Sequence, residues 1–171
     1  MFVLGIDPGL TRCGYGVVER RGDGSLRALA CGVVRTAVDD ALPLRLATLN
    51  RELRALVSEF TPHAVVVERV FFQTNVRTAM SVGQASGLAL VAAIDGGCDV
   101  AQYTANEVKQ AVTGYGAATK EQVGRMVQSL LGLAAVPKPV DAADALALAL
   151  THLAVHRVQA AAAGVAPRGA R

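Results

Sequence analysis

The sequence predicts a single α/β domain built on one mixed five-stranded sheet flanked by helices. Residues 2–34 contain three short apolar segments separated by turn signals, a pattern typical of antiparallel strands. Beyond residue 40, helical and strand patterns alternate, which indicates additional strands joined through helices. With 171 residues, 52% of them apolar, the chain is long and apolar enough for one full core.

The first three strands are predicted at 2–6, 14–18 and 26–34. The first is an apolar run that ends at Asp7, immediately before a Pro-Gly turn signal. The second and third are joined through Arg21–Gly24, whose Asp-Gly pair is typical of a hairpin turn.

A helix at 44–60 and a strand at 64–67 follow. Apolar residues recur at helical spacing up to Phe60, and Pro62 ends the pattern. The next segment, Ala-Val-Val-Val, does not alternate with polar residues, so we expect a strand that is buried on both faces and ends at Glu68.

The rest of the chain predicts four helices and a fifth strand. Thr104 with Glu107, and Thr119 with Gln122, have the spacing of capping boxes at helix starts. The predicted elements are a helix at 76–94, a strand at 99–103, and helices at 105–113, 120–132 and 140–157. We therefore expect one domain over 1–157 and a flexible Ala/Gly/Arg tail over 158–171.

Composition favours a cytoplasmic protein. No apolar stretch approaches the roughly 20 residues that cross a bilayer, and Asp7 interrupts any signal-peptide pattern, so no membrane association is expected. Three cysteines without CxxC spacing predict neither a disulfide framework nor a zinc site. The net charge of +3 favours an acidic partner only weakly.

Four acidic residues occupy unusual places. Asp7 and Glu68 end strands, and Asp141 and Asp144 open the last helix on one face. A turn residue at Asp7, a solvated strand end at Glu68 and a helix cap at Asp141 are the competing interpretations. Asp144 begins a nearly apolar helix, where a carboxylate needs a partner or a metal.

Together, these carboxylates predict a metal site. If the first and fourth strands are parallel neighbours, Asp7 and Glu68 emerge side by side, and the last helix can bring the other two acids over them. Carboxylate oxygens suit Mg²⁺ or Mn²⁺. Such a cluster can hold two ions, one to activate water and one to stabilise a leaving oxygen, and a phosphodiester is the natural substrate.

Several motifs, in order, resemble the RuvC family of Holliday junction resolvases over residues 1 to about 157. The most specific is Asp-Ala-Ala-Asp-Ala-Leu-Ala at 141–147. The others are Gly-Ile-Asp-Pro-Gly at 5–9 with Gly-Tyr-Gly at 14–16, Val-Val-Val-Glu at 65–68 with Val-Phe at 70–71, Gly-Gln-Ala at 83–85, Val-Lys-Gln-Ala-Val at 108–112, and Lys120 before Gln-Val.

This resemblance implies a ribonuclease-H-like (retroviral integrase-like) fold and an Mg²⁺-dependent endonuclease. The enzyme would resolve four-way DNA junctions by paired symmetric nicks that leave 5′-phosphate and 3′-hydroxyl ends. Asp7, Glu68, Asp141 and Asp144 match the family's acidic tetrad, and Lys109 and Lys120 match its functional lysines. The resemblance also implies a homodimer and the branch-migration partners RuvA and RuvB.

Further residues are candidates for DNA contact. Phe71 and Phe72 follow Glu68, and an aromatic ring there could stack on a base or wedge into a junction, although tandem phenylalanines also form cores. Arg69 and Arg77 could contact phosphates. Lys120 is expected to neutralise charge at the scissile phosphate, and Lys109 to grip the backbone, unless both are ordinary surface charges.

Two questions stay open at this level. The helix at 76–94, rich in small residues, either forms the dimer interface or packs inside the monomer. The alternative functions are an actin-like ATPase or sugar kinase, an RNA nuclease and a catalytically silent junction-binding module.

His152 is expected to be packed or hydrogen-bonded rather than a metal ligand.

Overall fold

The computed structural model describes residues 1–69 and 76–162, except for the side chains of Arg77 and residues 160–162. One five-stranded sheet lies at its centre, with the order β3-β2-β1-β4-β5. The strands are β1 (Phe2–Asp7), β2 (Arg12–Arg20), β3 (Leu26–Arg35), β4 (Ala64–Glu68) and β5 (Asp99–Tyr103). The first three pair antiparallel, whereas β4 is parallel to both β1 and β5.

Helices cover both faces of this sheet. They are α1 (Leu42–Phe60), α2 (Val76–Asp95), α3 (Ala105–Thr113), α4 (Lys120–Leu130) and α5 (Val140–Ala162). Side chains of β1 alternate between the two faces: Leu4 and Ile6 pack with α1 and α2, and Val3 packs with the other three helices. The predicted mixed sheet with flanking helices is therefore confirmed.

Local signals placed most elements correctly. Both predicted capping boxes are formed, at Thr104 and Thr119. Gly24, in the predicted hairpin turn, has a φ of +86°, which glycine adopts without strain. The predicted start of α1 at residue 44 was wrong by two positions, because Pro43 fits the first turn, where its missing N–H has no helical partner.

The last helix is the central packing element of its face. Its residues from Ala145 to Leu150 are all buried, as its apolar sequence predicted. It continues to Ala162, so the predicted end near residue 157 was wrong. The sequence there is rich in alanine, the best helix former, and nothing in it stops the helix. The predicted tail thus begins within α5, and residues 163–171 lie outside the described part.

Candidate active site

Two carboxylates meet where β1 and β4 end. Asp7 is the last residue of β1 and Glu68 the last of β4, and these parallel neighbours are in register through Ile6 and Val67. Both side chains therefore leave the same edge of the sheet, and they hydrogen-bond to each other. The condition on which the sequence-based site hypothesis depended is met.

Helix α5 brings the other two carboxylates to this edge. Its close approach to the sheet depends on glycines, since a Cβ on Gly5 would collide with the carbonyl oxygen of Ala145. A Cβ on Gly14, the register partner of Asp7, would likewise collide with the backbone of Asp141. The missing side chains let the start of α5 lie directly over the end of β1 and the start of β2.

Three of the four carboxylates share one pocket. Its lining consists of Asp7, Glu68, Ala105, Val108, Lys109, Lys120, Val123, Asp144 and Leu148. Within it, Lys120 Nζ donates to Asp144 Oδ2 at 2.8 Å. Both lysines named from the sequence thus reach the carboxylate site, one from α3 and one from the start of α4.

Repulsion between neighbouring carboxylates and their burial shift the pKa values in this pocket. Burial, followed by the charges of Glu68 and Asp144, raises the pKa of Asp7 to about 8. Burial also raises the pKa of Glu68, although the hydrogen bond with Asp7 opposes that effect. The hydrogen bond to Asp144 raises the pKa of Lys120, which keeps this ammonium charged. A site with this much negative charge favours cations.

Asp141 lies at the same edge but has a different partner. Its Oδ2 accepts hydrogen bonds from Arg12 Nε at 3.1 Å and Arg12 Nη2 at 2.5 Å. It is not among the residues that line the pocket, although its charge still raises the pKa of Asp7. The structure therefore places three members of the predicted tetrad in the pocket and the fourth beside it, in contact with an arginine that sequence reasoning missed.

The donor set fits a hard divalent cation. All four acidic side chains offer oxygen, the ligand that Mg²⁺ and Mn²⁺ prefer. Among residues 1–69 and 76–162, no three His, Cys, Asp or Glu side chains already stand in the arrangement of a metal site. Instead, Asp7 and Glu68 hydrogen-bond to each other. Asp141 accepts hydrogen bonds from Arg12, and Asp144 accepts one from Lys120. Ligation therefore requires these pairings to adjust.

The remaining predicted residues fall into two groups. Arg69 lies just past β4, where its Nη2 donates to the carbonyl oxygen of Gln102 at 3.3 Å. Phe71 and Phe72 lie outside the described residues, as does the side chain of Arg77, so their proposed DNA contacts stay predictions. His152 hydrogen-bonds through Nδ1 to the hydroxyl of Tyr103 at 3.1 Å, which confirms the expected structural role.

Helix α2 has one buried face and one exposed face. Ala85, Ala89 and Ala92 are buried against the sheet of the same chain. A second face is exposed and apolar: it carries Val76, Met80, Val91 and Ile94, with Gly83 and Gly87 between them. In the described part of the chain, no helix has both the length and the apolar composition needed to cross a membrane.

Comparisons with known proteins agree with this geometry. The family model of crossover junction endodeoxyribonuclease RuvC matches residues 3–152. A RuvC protein of Salinispora arenicola is 57% identical over 153 residues, which span 90% of this chain and 87% of that protein. One from Natranaerobius thermophilus is 46% identical over 159 residues, 93% of this chain and 98% of that protein.

A solved structure is also similar over most of its length. RuvC of Thermus thermophilus, in complex with its Holliday junction substrate, matches with a TM-score of 0.88 and 42% identity. The match covers 93% of this chain and 96% of that one. This similarity confirms the ribonuclease-H-like fold class.

Proposed function

Because this chain belongs to the RuvC family of crossover junction endodeoxyribonucleases, we propose that Asp7, Glu68, Asp141 and Asp144 are the catalytic carboxylates with which it cuts four-way DNA. The enzyme is a metal-dependent endonuclease that resolves Holliday junctions in DNA recombination and repair. The observation that carries the assignment of its site is the convergence of three acids and two lysines in one pocket at the ends of β1 and β4.

The four carboxylates are the proposed ligands of Mg²⁺, with two ions per site and Mn²⁺ able to substitute. When bound, such ions would lower the pKa of the attacking water and stabilise the leaving oxygen. Asp7, at the end of the central strand β1, would be one of the residues that hold them. The proton held by Asp7 and Glu68 must leave before both carboxylates can act as ligands, so binding is expected to release protons.

The lysines supply the positive charge that a DNA backbone needs. Lys120 is 69% exposed at the rim of the pocket, so its ammonium can turn from Asp144 toward a phosphate and offset the charge that develops during cleavage. Lys109 lines the same pocket from α3 and would hold the DNA backbone beside the scissile bond. Hydrolysis by this arrangement would leave a 5′-phosphate and a 3′-hydroxyl.

The exposed apolar face of α2 is the proposed interface of a homodimer. Met80, Val91 and Ile94 are 63%, 54% and 65% exposed, and their spacing keeps them on one side of the helix. Gly83 and Gly87 leave open space beside them, which permits a second helix to approach closely. A two-fold dimer would set two identical sites at a fixed separation, as symmetric cutting of a junction requires.

Two further proposals rest on family membership. RuvA and RuvB are the expected branch-migration partners, because a junction must be moved to a cleavable position before it is cut. The cytoplasm is the expected location, and the three free cysteines fit a reducing compartment.

The site is tested by cleavage of a synthetic four-way junction, with end-labelled strands and mapped product ends. Asp7→Asn, Glu68→Gln and Asp144→Asn should each lower the cleavage rate at least ~100-fold in Mg²⁺ and leave the junction Kd within about 3-fold, because each removes a ligand but no basic side chain. Asp23→Asn is the matched control, since Asp23 is exposed in the β2–β3 turn at the opposite end of the sheet. Full activity of Asp7→Asn would contradict the assignment.

The same assay separates the two lysines. Lys120→Ala should slow cleavage about 100-fold. Lys109→Ala should mainly weaken binding and reduce the steepness of its salt dependence by about one counterion. Lys138, which is exposed and not part of the pocket lining, provides the control Lys138→Ala. If all three substitutions changed cleavage and binding equally, the result would show only a general effect of lost positive charge and no specific role for either lysine.

A further inference from the structure

Arg12 is a charged residue at this edge of the sheet for which the sequence predicted no function. It is the first residue of β2, and two of its guanidinium nitrogens donate to the same oxygen, Oδ2 of Asp141. The two residues are 129 positions apart in the chain, so the fold and not local sequence brings them together. Their side chains are 38% and 29% exposed, which places the pair at the rim of the site.

Hydrogen bonds hold the loop that precedes Arg12 in place. Between β1 and β2 the chain turns through residues 8–11, and this turn is tied to the rest of the molecule. The hydroxyl of Thr36 donates to the carbonyl oxygen of Leu10 at 2.7 Å. Arg45 in turn donates to the hydroxyls of Thr36 and Thr11, at 3.0 and 2.6 Å. The backbone that leads into Arg12 is therefore restrained by these hydrogen bonds.

The acceptor is also held in place. The main chain of Asp141 rests over Gly14, two residues along β2 from Arg12. The side chain of Asp141 is 29% exposed at the first turn of α5. Two hydrogen bonds from Arg12 hold its Oδ2.

The contact leaves the other carboxylate oxygen available. Both donors of Arg12 go to Oδ2, so Oδ1 keeps its lone pairs for a cation. Carboxylates that ligate metals are commonly oriented by such outer partners.

We propose that Arg12 is a positioning residue that fixes Oδ2 of Asp141 and thereby presents Oδ1 of this carboxylate to the divalent cation of the active site. The inference rests on the proposed function, in which Asp141 is a ligand. Arg12 itself touches neither the cation nor the DNA in this role. Its effect belongs to metal affinity and is present without substrate.

The test measures Mn²⁺ binding to the full-length protein by titration calorimetry, without DNA. Arg12→Gln should weaken binding roughly 10-fold or more, the usual effect of removing an outer partner. Arg12→Lys keeps the charge but not the two-donor contact, so its Mn²⁺ affinity should lie between those of the parent protein and Arg12→Gln. Arg35→Gln is the control for charge, because Arg35 is the register partner of Arg12 on β3 and is exposed. Unchanged binding by Arg12→Gln would overturn the proposal, and tighter binding would show that the guanidinium competes with the ion.

A double-mutant cycle separates this proposal from the assignment on which it rests. In an Asp141→Asn background, Arg12→Gln should not weaken Mn²⁺ binding further, because the group it orients is gone. If Asp141→Asn alone leaves Mn²⁺ binding unchanged, the ligand assignment fails. If Asp141→Asn weakens binding and Arg12→Gln does not, only the role of Arg12 fails. Should Arg12→Gln not fold, Arg12→Lys carries the same cycle.

Discussion

At the scale of single residues, the Asp7–Glu68 pair shows how the proposed active site opposes stability. Two carboxylates in hydrogen-bond contact at a partly buried edge cannot both ionise without cost. Ordinary turn or strand-end residues would have been free to point into solvent. Parallel pairing of β1 and β4 instead holds their backbones side by side, and both carboxyl groups are partly buried there.

The raised pKa of Asp7 predicts a pH dependence of stability. Between pH 4 and about 8, the folded state keeps a proton that the unfolded chain loses, so the free energy of unfolding should fall as pH rises, by at most ~1.4 kcal/mol per pH unit. Asp7→Asn removes this titration. In chelator, urea unfolding at pH 5, 6.5 and 8 should therefore show the variant gaining on the parent protein as pH increases.

Two additions sharpen that measurement. Mn²⁺ should stabilise the parent protein at pH 8 and stabilise Asp7→Asn much less, because the cation binds only the folded ligand set. Asp23→Asn should give a profile parallel to the parent over the same range, because Asp23 is exposed in a turn remote from the pocket. Parallel profiles for Asp7→Asn and the parent would mean that Asp7 titrates normally.

At the scale of elements, helix α5 and the strands beneath it act as one unit. The helix is buried along its first half and crosses β1 and β2 at glycines. Its carboxylates reach the site only because the helix lies this close to the sheet. Packing and the proposed catalytic site thus depend on the same close approach of the two backbones.

Gly5→Ala tests that dependence. The added methyl group would meet the carbonyl oxygen of Ala145, so the helix must move away from β1. We expect a loss of stability of about 1–3 kcal/mol, typical of overpacking, in urea unfolding. Because the shift carries Asp144 away from Asp7, Mn²⁺ affinity measured on the folded protein should fall as well.

A second glycine provides the control for this substitution. Gly22 lies in the β2–β3 turn, where an added Cβ meets no atom within 4 Å among the described residues. Gly22→Ala should leave both the free energy of unfolding and Mn²⁺ affinity near the parent values. Parent-like Mn²⁺ affinity in Gly5→Ala would indicate that the helix does not position the ligands.

The elements also show what the sequence could and could not predict. Strands and capped helices depend on neighbouring residues, so the start of α3 at Ala105 followed directly from Thr104 and Glu107. The convergence of Asp7 and Glu68 followed once parallel pairing was assumed. The partner of Asp141 did not, because Arg12 is remote in sequence and nothing local marks the contact. The end of α5 was missed because its alanines fit a helix and a mobile tail equally well.

At the scale of the whole molecule, one apolar face of α2 is left uncovered by the described part of the chain. The buried alanines of α2 account for one face of that helix, but not for the exposed apolar residues on the other. Water contact with several large apolar side chains on one helix face is unfavourable, and such patches commonly mark interaction sites. The proposed partner is a second copy of the chain, because a two-fold dimer would hold two identical sites at a fixed separation for symmetric cutting.

Met80→Asp combined with Val91→Asp tests this interface. Both side chains are exposed in the single chain, so the double variant should keep its unfolding free energy and its Mn²⁺ affinity. Four buried charges across a two-fold contact would disfavour association, so light scattering should report a monomer. The monomer should still nick junction strands, but without pairing the nicks, so that ligatable resolved duplexes disappear from the products.

Leu44→Asp, which adds an acid at an exposed apolar position of α1, should stay dimeric and resolve junctions normally. A double variant that remains dimeric would place the two-fold contact on another surface, and a monomer that still produces paired nicks would show that symmetric cleavage does not need two linked sites.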